Sequence, residues 1–301
     1  MRVSTGQLQR YVLQGLNDQG LRYAEATRQM VTGERILRPS DDPLGTVTLL
    51  SLEREQQALN QYRANIGTVG SRLAKAQTYL QSSVDVLLRV QDLALAAVNG
   101  SHSETDRSAA ALELINLRTT LLDLANARGE GGDYLFAGSR VDTIPVVTDA
   151  SGNYIYQGDD LVRQVNVANG VAIASNDTAA AIFFDADGVG NLFADLSSFI
   201  EALTTPGADI AVAGGVMLGR FNKTLDAVNY TLTDLGGRLN TLEQLDLAQQ
   251  DLALVNEKTI GEIRDLDYAD VMMRISQIEL ALGATQKSYA TINQLTLFDY
   301  L

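Results

Sequence analysis

The sequence predicts a mainly α fold with a β insertion. A long antiparallel, coiled-coil-like helical rod is formed by the N- and C-terminal arms, with a small β-rich domain between them. Three observations predict it. The four prolines fall at Pro39, Pro43, Pro145 and Pro206, so 44–144 and 207–301 lack the residue that helix interiors expel. Apolar residues in both arms recur with a near-heptad period, the signature of packed helices. The excess acidic charge collects between the arms: residues 139–215 hold 10 acidic and 2 basic side chains, against 15 and 14 in 1–138 and 12 and 7 in 216–301.

Residues 1–43 carry an apolar stripe of Leu8, Val12, Leu16, Tyr23, Ala26 and Met30. Pro39 and Pro43 drive Arg38 and Asp42 out of the α region, so this helix is predicted to end at about Leu37. Asp41 or Asp42 then caps a helix starting near Leu44. In 44–138, Leu52, Leu59, Ile66, Leu73, Leu80, Leu87 and Ala94 repeat every seven residues, which implies a left-handed supercoil. A second row, Val69, Ala76, Tyr79, Val86, Val90, Leu93 and Ala97, widens the stripe enough to touch more than one neighbour. After Asn99-Gly100, Ser103-x-x-Asp106 reads as a capping box. The helix that follows carries Ala110, Leu114, Leu117, Leu121 and Leu124, is stopped by Gly129, Gly131 and Gly132, and completes a helical hairpin.

Residues 139–215 form the β-rich acidic domain. Tyr154–Tyr156 is strand-like, and Asn169-Gly170 between alternating apolar runs predicts a hairpin with both turn residues at positive φ. Helix resumes at about Val216 and returns through 216–265, weakened locally by Gly236-Gly237. The last segment, 266–301, carries Val271, Ile275, Ile278, Leu282, Thr285, Tyr289 and Ile292 in alternating steps of four and three. Stripes at both ends are useful only if buried. The ends therefore pair with each other, with neighbouring copies, or with both.

The composition excludes several kinds of chemistry. Without cysteine there is no disulfide, thiolate nucleophile or Cys-ligated metal, and with one histidine there is no multi-histidine cage. A net charge of −14 argues against a nucleic-acid partner. No apolar run reaches the ~18–20 residues of a transmembrane helix, so no membrane insertion is expected. The start, MRVSTGQLQRY, lacks the layout of a cleavable secretory signal.

Individual motifs favour structural roles. His102, near Glu104 and Asp106, reads as a loop histidine rather than a metal ligand. Asp185-x-Asp187-Gly188 resembles the start of an EF-hand, but Leu196 stands where the bidentate Glu belongs. Asp41-Asp42 and Asp159-Asp160 read as turn formers or caps, and Asp265, Asp267 and Asp270 as the charged start of the last helix. No phosphate loop, nucleophile elbow or dinucleotide fingerprint is present. The sequence therefore predicts no catalytic residues and no cofactor.

Four segments and the chain's ending carry a family resemblance. Thr32–Pro43, TGERILRPSDDP, is similar to the TGKRVNRPSDDP element of flagellins. Gly132–Ser139, GDYLFAGS, resembles their GxYLFAG element. Leu235–Glu243 and Ile263–Asp270 are similar to C-terminal flagellin elements. Leu295–Leu301, LTLFDYL, resembles the SLFDYL ending of the flagellar hook-associated protein 3 (FlgL) family within the flagellin superfamily. The resemblance implies a non-enzymatic adaptor at the hook–filament junction, outside the cell. Its implied partners are a ring of its own copies, hook-associated protein 1, flagellin and a flagellar type III export chaperone. Residues 1–43 and 266–301 would form the inner layer. The implied assembly residues are Leu8, Val12, Leu16, Arg38, Pro39, Asp41, Asp42, Pro43, Val271, Ile275, Ile278, Leu282, Tyr289, Ile292, Leu297, Phe298, Tyr300 and Leu301. The rival readings are a flagellin-like filament subunit and a coiled-coil scaffold unrelated to flagella.

Overall fold

A computed structural model describes residues 5–98, 104–185 and 190–294. In chain order the elements are α1 Thr5–Thr32, α2 Pro43–Val98, α3 Glu104–Ala125, β1 Val146–Thr148, β2 Tyr154–Tyr156, β3 Gln164–Ala168, β4 Val171–Ala174, α4 Ala179–Phe183, α5 Leu192–Thr204, α6 Ile210–Arg264 and α7 Tyr268–Gln294. They fall into two compact units, one of residues 59–250 and one of residues 1–58 with 251–301. His102, Ser103, Asp187 and Gly188 lie outside the described residues.

In the unit of 59–250, both apolar rows of α2 are used. Leu59, Ile66, Leu73, Leu80, Leu87 and Ala94 are buried, and so are Val69, Ala76, Val90 and Ala97. All of these but Leu59 share one core with Leu114 and Leu121 of α3 and with Phe221, Val228 and Leu235 of α6. A stripe that wide needs more than one partner, and it has two. α3 ends at Ala125, before the glycine cluster. There the side-chain amide of Asn126 imitates a strand, donating to the Val146 carbonyl and accepting from the Val146 N–H, each at 2.8 Å.

The segment Tyr134–Gly138 is irregular and buried, so its backbone polar groups need partners from elsewhere in the chain. Leu135 N–H donates to the Ala127 carbonyl at 3.0 Å, and Phe136 O accepts from Ala179 N–H at 2.9 Å. Tyr134 O accepts from Arg72 Nη2 at 2.9 Å. Gly138 sits at φ 74°, and a Cβ there would run into the backbone carbonyl of Asp159.

The middle segment departs from the sequence reading in two ways. Its strands form two antiparallel pairs, β1–β2 and β3–β4. In the second pair Asn169 and Gly170 close the hairpin, but only Gly170 (φ 73°) takes a positive φ. A register shift between Asn166 and Ala168 accompanies that turn. The segment is also partly helical, because two side chains supply local caps. Thr178 accepts from Ala181 N–H to open α4, and Asn191 accepts from Ala194 N–H at 2.8 Å to open α5. The buried face of α5, with Phe193, Leu196 and Phe199, packs along α3.

α6 starts at Ile210, six residues before Val216, behind Asp209, whose carboxylate accepts from Val212 N–H at 3.1 Å. It runs unbroken through Gly236-Gly237. Beside them Arg238 pairs with Asp177 at 2.7 Å, both side chains being largely buried.

Gly138→Ala should destabilise the chain by roughly 1–3 kcal/mol, through strain and overpacking together. Chemical denaturation followed by helical circular dichroism measures this, and an unchanged midpoint would show that the segment tolerates a side chain there.

Candidate assembly interface

The unit of 1–58 with 251–301 is organised by a junction at the end of α1. Gly33 takes φ 74° and its N–H returns to the Gln29 carbonyl at 2.8 Å, which stops α1 at Thr32 rather than at about Leu37. This is the usual left-handed glycine stop, and it acts before proline is reached. The next residues pair antiparallel with the α6–α7 connection: Arg35 N–H donates to Arg264 O at 2.7 Å, and Leu266 N–H donates to Gly33 O at 2.9 Å.

Arg35 gathers the rest. Its Nε donates to Ile263 O at 3.0 Å and its Nη2 to Asp42 Oδ2 at 3.0 Å. Its own carbonyl accepts from the side chain of the buried Gln29 at 2.7 Å. Asp42 is the N-cap of α2, accepting from Gly45 N–H at 2.8 Å, with Pro43 in the first helical position where a missing N–H costs nothing. The hydrogen bond from Gly45, reinforced by Arg35, holds the Asp42 carboxyl below the usual aspartate range. Asp41 closes the turn before it, accepting from Arg38 N–H at 2.9 Å and Leu37 N–H at 3.2 Å. Arg38, Pro39, Asp41 and Pro43 are exposed.

α7 begins behind Asp267, which accepts from Ala269 N–H at 2.9 Å and Asp270 N–H at 3.2 Å. It lies along α1. Val271 is buried against Ala26 and Leu266, with Met30 and Ile275 packed around them. Ile278, Leu282 and Tyr289 on α7 and Val12 and Leu16 on α1 are half-buried. Leu8 lies in α1 and Ile292 in α7, whereas Leu297, Phe298, Tyr300 and Leu301 lie outside the described residues.

The predicted seams thus face each other within one chain, and a different set of apolar residues is left facing outward. Val31 is 79% exposed, Leu44 79% and Leu280 77%, with Leu21, Met272 and Met273 also exposed. Sequence reasoning missed Gln29, Gly33 and Arg35. The Thr32-Gly33 step after the apolar stripe was the available signal for the helix stop. Among the described residues no group of three acidic or histidine side chains could hold a metal ion. Among the same residues no helix is long and apolar enough to cross a membrane.

Residues 3–141 match the family model of the bacterial flagellin N-terminal helical region. Flagellar hook-associated protein 3 of Escherichia coli (strain K12) is 29% identical over 317 residues, with 99% of each chain aligned. Its counterpart from Salmonella typhimurium is 27% identical over the same span. A solved structure of a flagellar hook-associated protein from Vibrio parahaemolyticus is 33% identical, with a TM-score of 0.70 over 75% of this chain and 100% of that one.

Because the folded-state pKa of Asp42 is depressed, its contribution to the junction is present above the ordinary aspartate value and is lost as pH falls through the lower folded value. The Gly45 amide resonance should therefore titrate with a midpoint below 3.8. Asp42→Ala should abolish that titration and speed amide exchange at Gly45 and Thr46 several-fold. A midpoint at or above 3.8 would remove Arg35 and the cap from the account.

Proposed function

The chain belongs to the flagellar hook-associated protein 3 family, and from that premise we propose that it acts as the adaptor between hook-associated protein 1 and the flagellin filament. The family is structural, and a junction component of the flagellum needs no active site. The observation that carries the finer reading is the construction of the paired arms. α1 and α7 satisfy each other along one seam and present a second apolar surface, Leu21, Val31, Met272 and Leu280 among it, that one chain leaves uncovered. A subunit that stacks among copies of itself and against unlike neighbours needs such a second face. Its area is best covered by a ring of copies, hook-associated protein 1 on one side and flagellin on the other.

Export through the flagellar type III apparatus, with a chaperone covering the apolar ends, and a final position outside the cell follow from the same reading. The lack of cysteine suits that route, since an unfolded chain entering an oxidising exterior cannot crosslink. The flagellin-like alternative has less support, because the LTLFDYL ending and the higher full-length identity both lie with hook-associated protein 3.

Deleting the gene should leave intact hooks, no filaments, and flagellin lost to the medium. Filaments of normal length on the deletion strain would refute the adaptor reading. The exposed elbow residues give a finer test. Pro39→Ala combined with Pro43→Ala should leave the helical circular dichroism of the purified chain unchanged while filaments shear off more easily. Wild-type resistance to shear would show that the elbow's rigidity is not needed for assembly.

A further inference from the structure

The unit of 59–250 carries an open pocket of about 600 Å³ that the helical packing does not account for. One wall is α2 at Gly67 and Thr68, and the other is the Gly129–Gly131 loop. Glycine inside a helix is destabilising relative to alanine, yet a Cβ at Gly67 or at the neighbouring Gly70 would meet nothing within 4 Å. No close packing demands these glycines, and Gly67 leaves the pocket open at one point of the α2 wall.

Three cations converge on the space they leave: Arg72, Lys75 and Arg163. Arg72 is paired with Asp133, and Lys75 with Glu130 at 2.9 Å. Arg163 makes no ion pair among the described residues, although it is one of only two basic residues in the acidic segment 139–215. The Nε atoms of Arg72 and Arg163 are both buried without a hydrogen-bond partner. Burial, and after it the charge of Arg72, pull the Arg163 guanidinium below its usual pKa, with Asp133 opposing only in part. Two like-charged guanidiniums beside an open pocket, of which only Arg72 has an ion-pair partner among the described residues, are completed by an anion.

We propose that this pocket receives a carboxylate side chain from a second copy of this chain. A carboxylate matches the planar fork of arginine, and its charge offsets the repulsion between Arg72 and Arg163. The chain has carboxylates in excess, with a net charge of −14, and a neighbouring copy offers exposed Asp142, Asp160 and Glu201. The proposal rests on the junction reading, because assembly is what sets copies side by side.

The chain has no cysteine, so Thr68→Cys gives a single attachment point at the exposed rim of the pocket. Flagella carrying it, labelled with a benzophenone maleimide and irradiated, should yield a product of two chains of 32.5 kDa each, identified by mass spectrometry. Adding Arg163→Gln should lower that yield by roughly tenfold, and Arg163→Lys should restore part of it. In case Arg163→Gln disturbs folding, glutarate serves as a soluble probe. It should suppress the product in the Thr68→Cys flagella, whereas chloride at equal ionic strength should not. A crosslink to a different protein, no crosslink, or equal suppression by chloride overturns the proposal. Filaments persisting after gene deletion would instead overturn the junction reading itself, whatever the crosslink shows.

Discussion

Arg35 is where the first and last parts of the chain become one structure. Its backbone pairs with the α6–α7 connection, and its guanidinium reaches both Ile263 and the capping carboxylate of α2. One residue thus ties the segment after α1 to the N-cap of α2 and to the α6–α7 connection, while Gly33 ends α1. Neither α1 nor α7 is self-sufficient as a lone amphipathic helix, since in water such helices draw most of their stability from packing. The seam along Ala26, Val271 and Ile275 adjoins that junction, since Leu266 packs in the seam and donates its N–H to Gly33 O. Which apolar residues stay exposed follows from the same arrangement, since burying one stripe decides which stripe remains outside.

The unit of 59–250 solves a different problem. Its helices bury two stripes of α2, but its least regular segment, Tyr134–Gly138, is among its most buried. Such a backbone persists because α2, the β2 region and α4 each give it a hydrogen bond. Charges do similar work around it. Asp133 faces a desolvation cost, yet the hydrogen bond and charge of Arg72 prevail and hold its carboxyl below the usual range. Arg220 likewise bridges Asp185 and Asp195, at 2.6 Å each. Removing one member of such a half-buried set leaves the other uncompensated, which is why pairs of this kind link segments distant in sequence.

What could be read from the sequence was what periodicity encodes. The heptad row of α2 and the seam of α7 point inward as their spacing requires, and Asn169-Gly170 closes a hairpin. Proline at 39 marked only the latest point at which α1 could end, whereas Gly33, with its free choice of φ, ended it earlier. α4 escaped because it is 5 residues long, whereas α5 carries helical spacing in Leu192, Phe193, Leu196, Phe199, Ile200 and Leu203 that was legible but lay inside a segment whose composition favours turns. Arg35 was invisible for another reason. Its partners at Ile263 and Arg264 are backbone carbonyls, and no side-chain pattern announces a contact of that kind.

The division of the chain also dictates an order of events in time. One unit is continuous, while the other needs residues from both termini. Whichever end of the chain becomes free first, the terminal unit cannot close until the opposite end is free as well. The continuous unit suffers no such delay, and once folded it alters the search that remains. The shared core of α2 and α6, with Arg63 and Asp246 in contact at 3.2 Å near its edge, brings the outgoing and returning helices side by side, so a short connection replaces a loop of the whole intervening chain. Contacts of the greatest sequence separation are ordinarily the slowest to form. Here they are left until a folded clamp has already removed most of that separation.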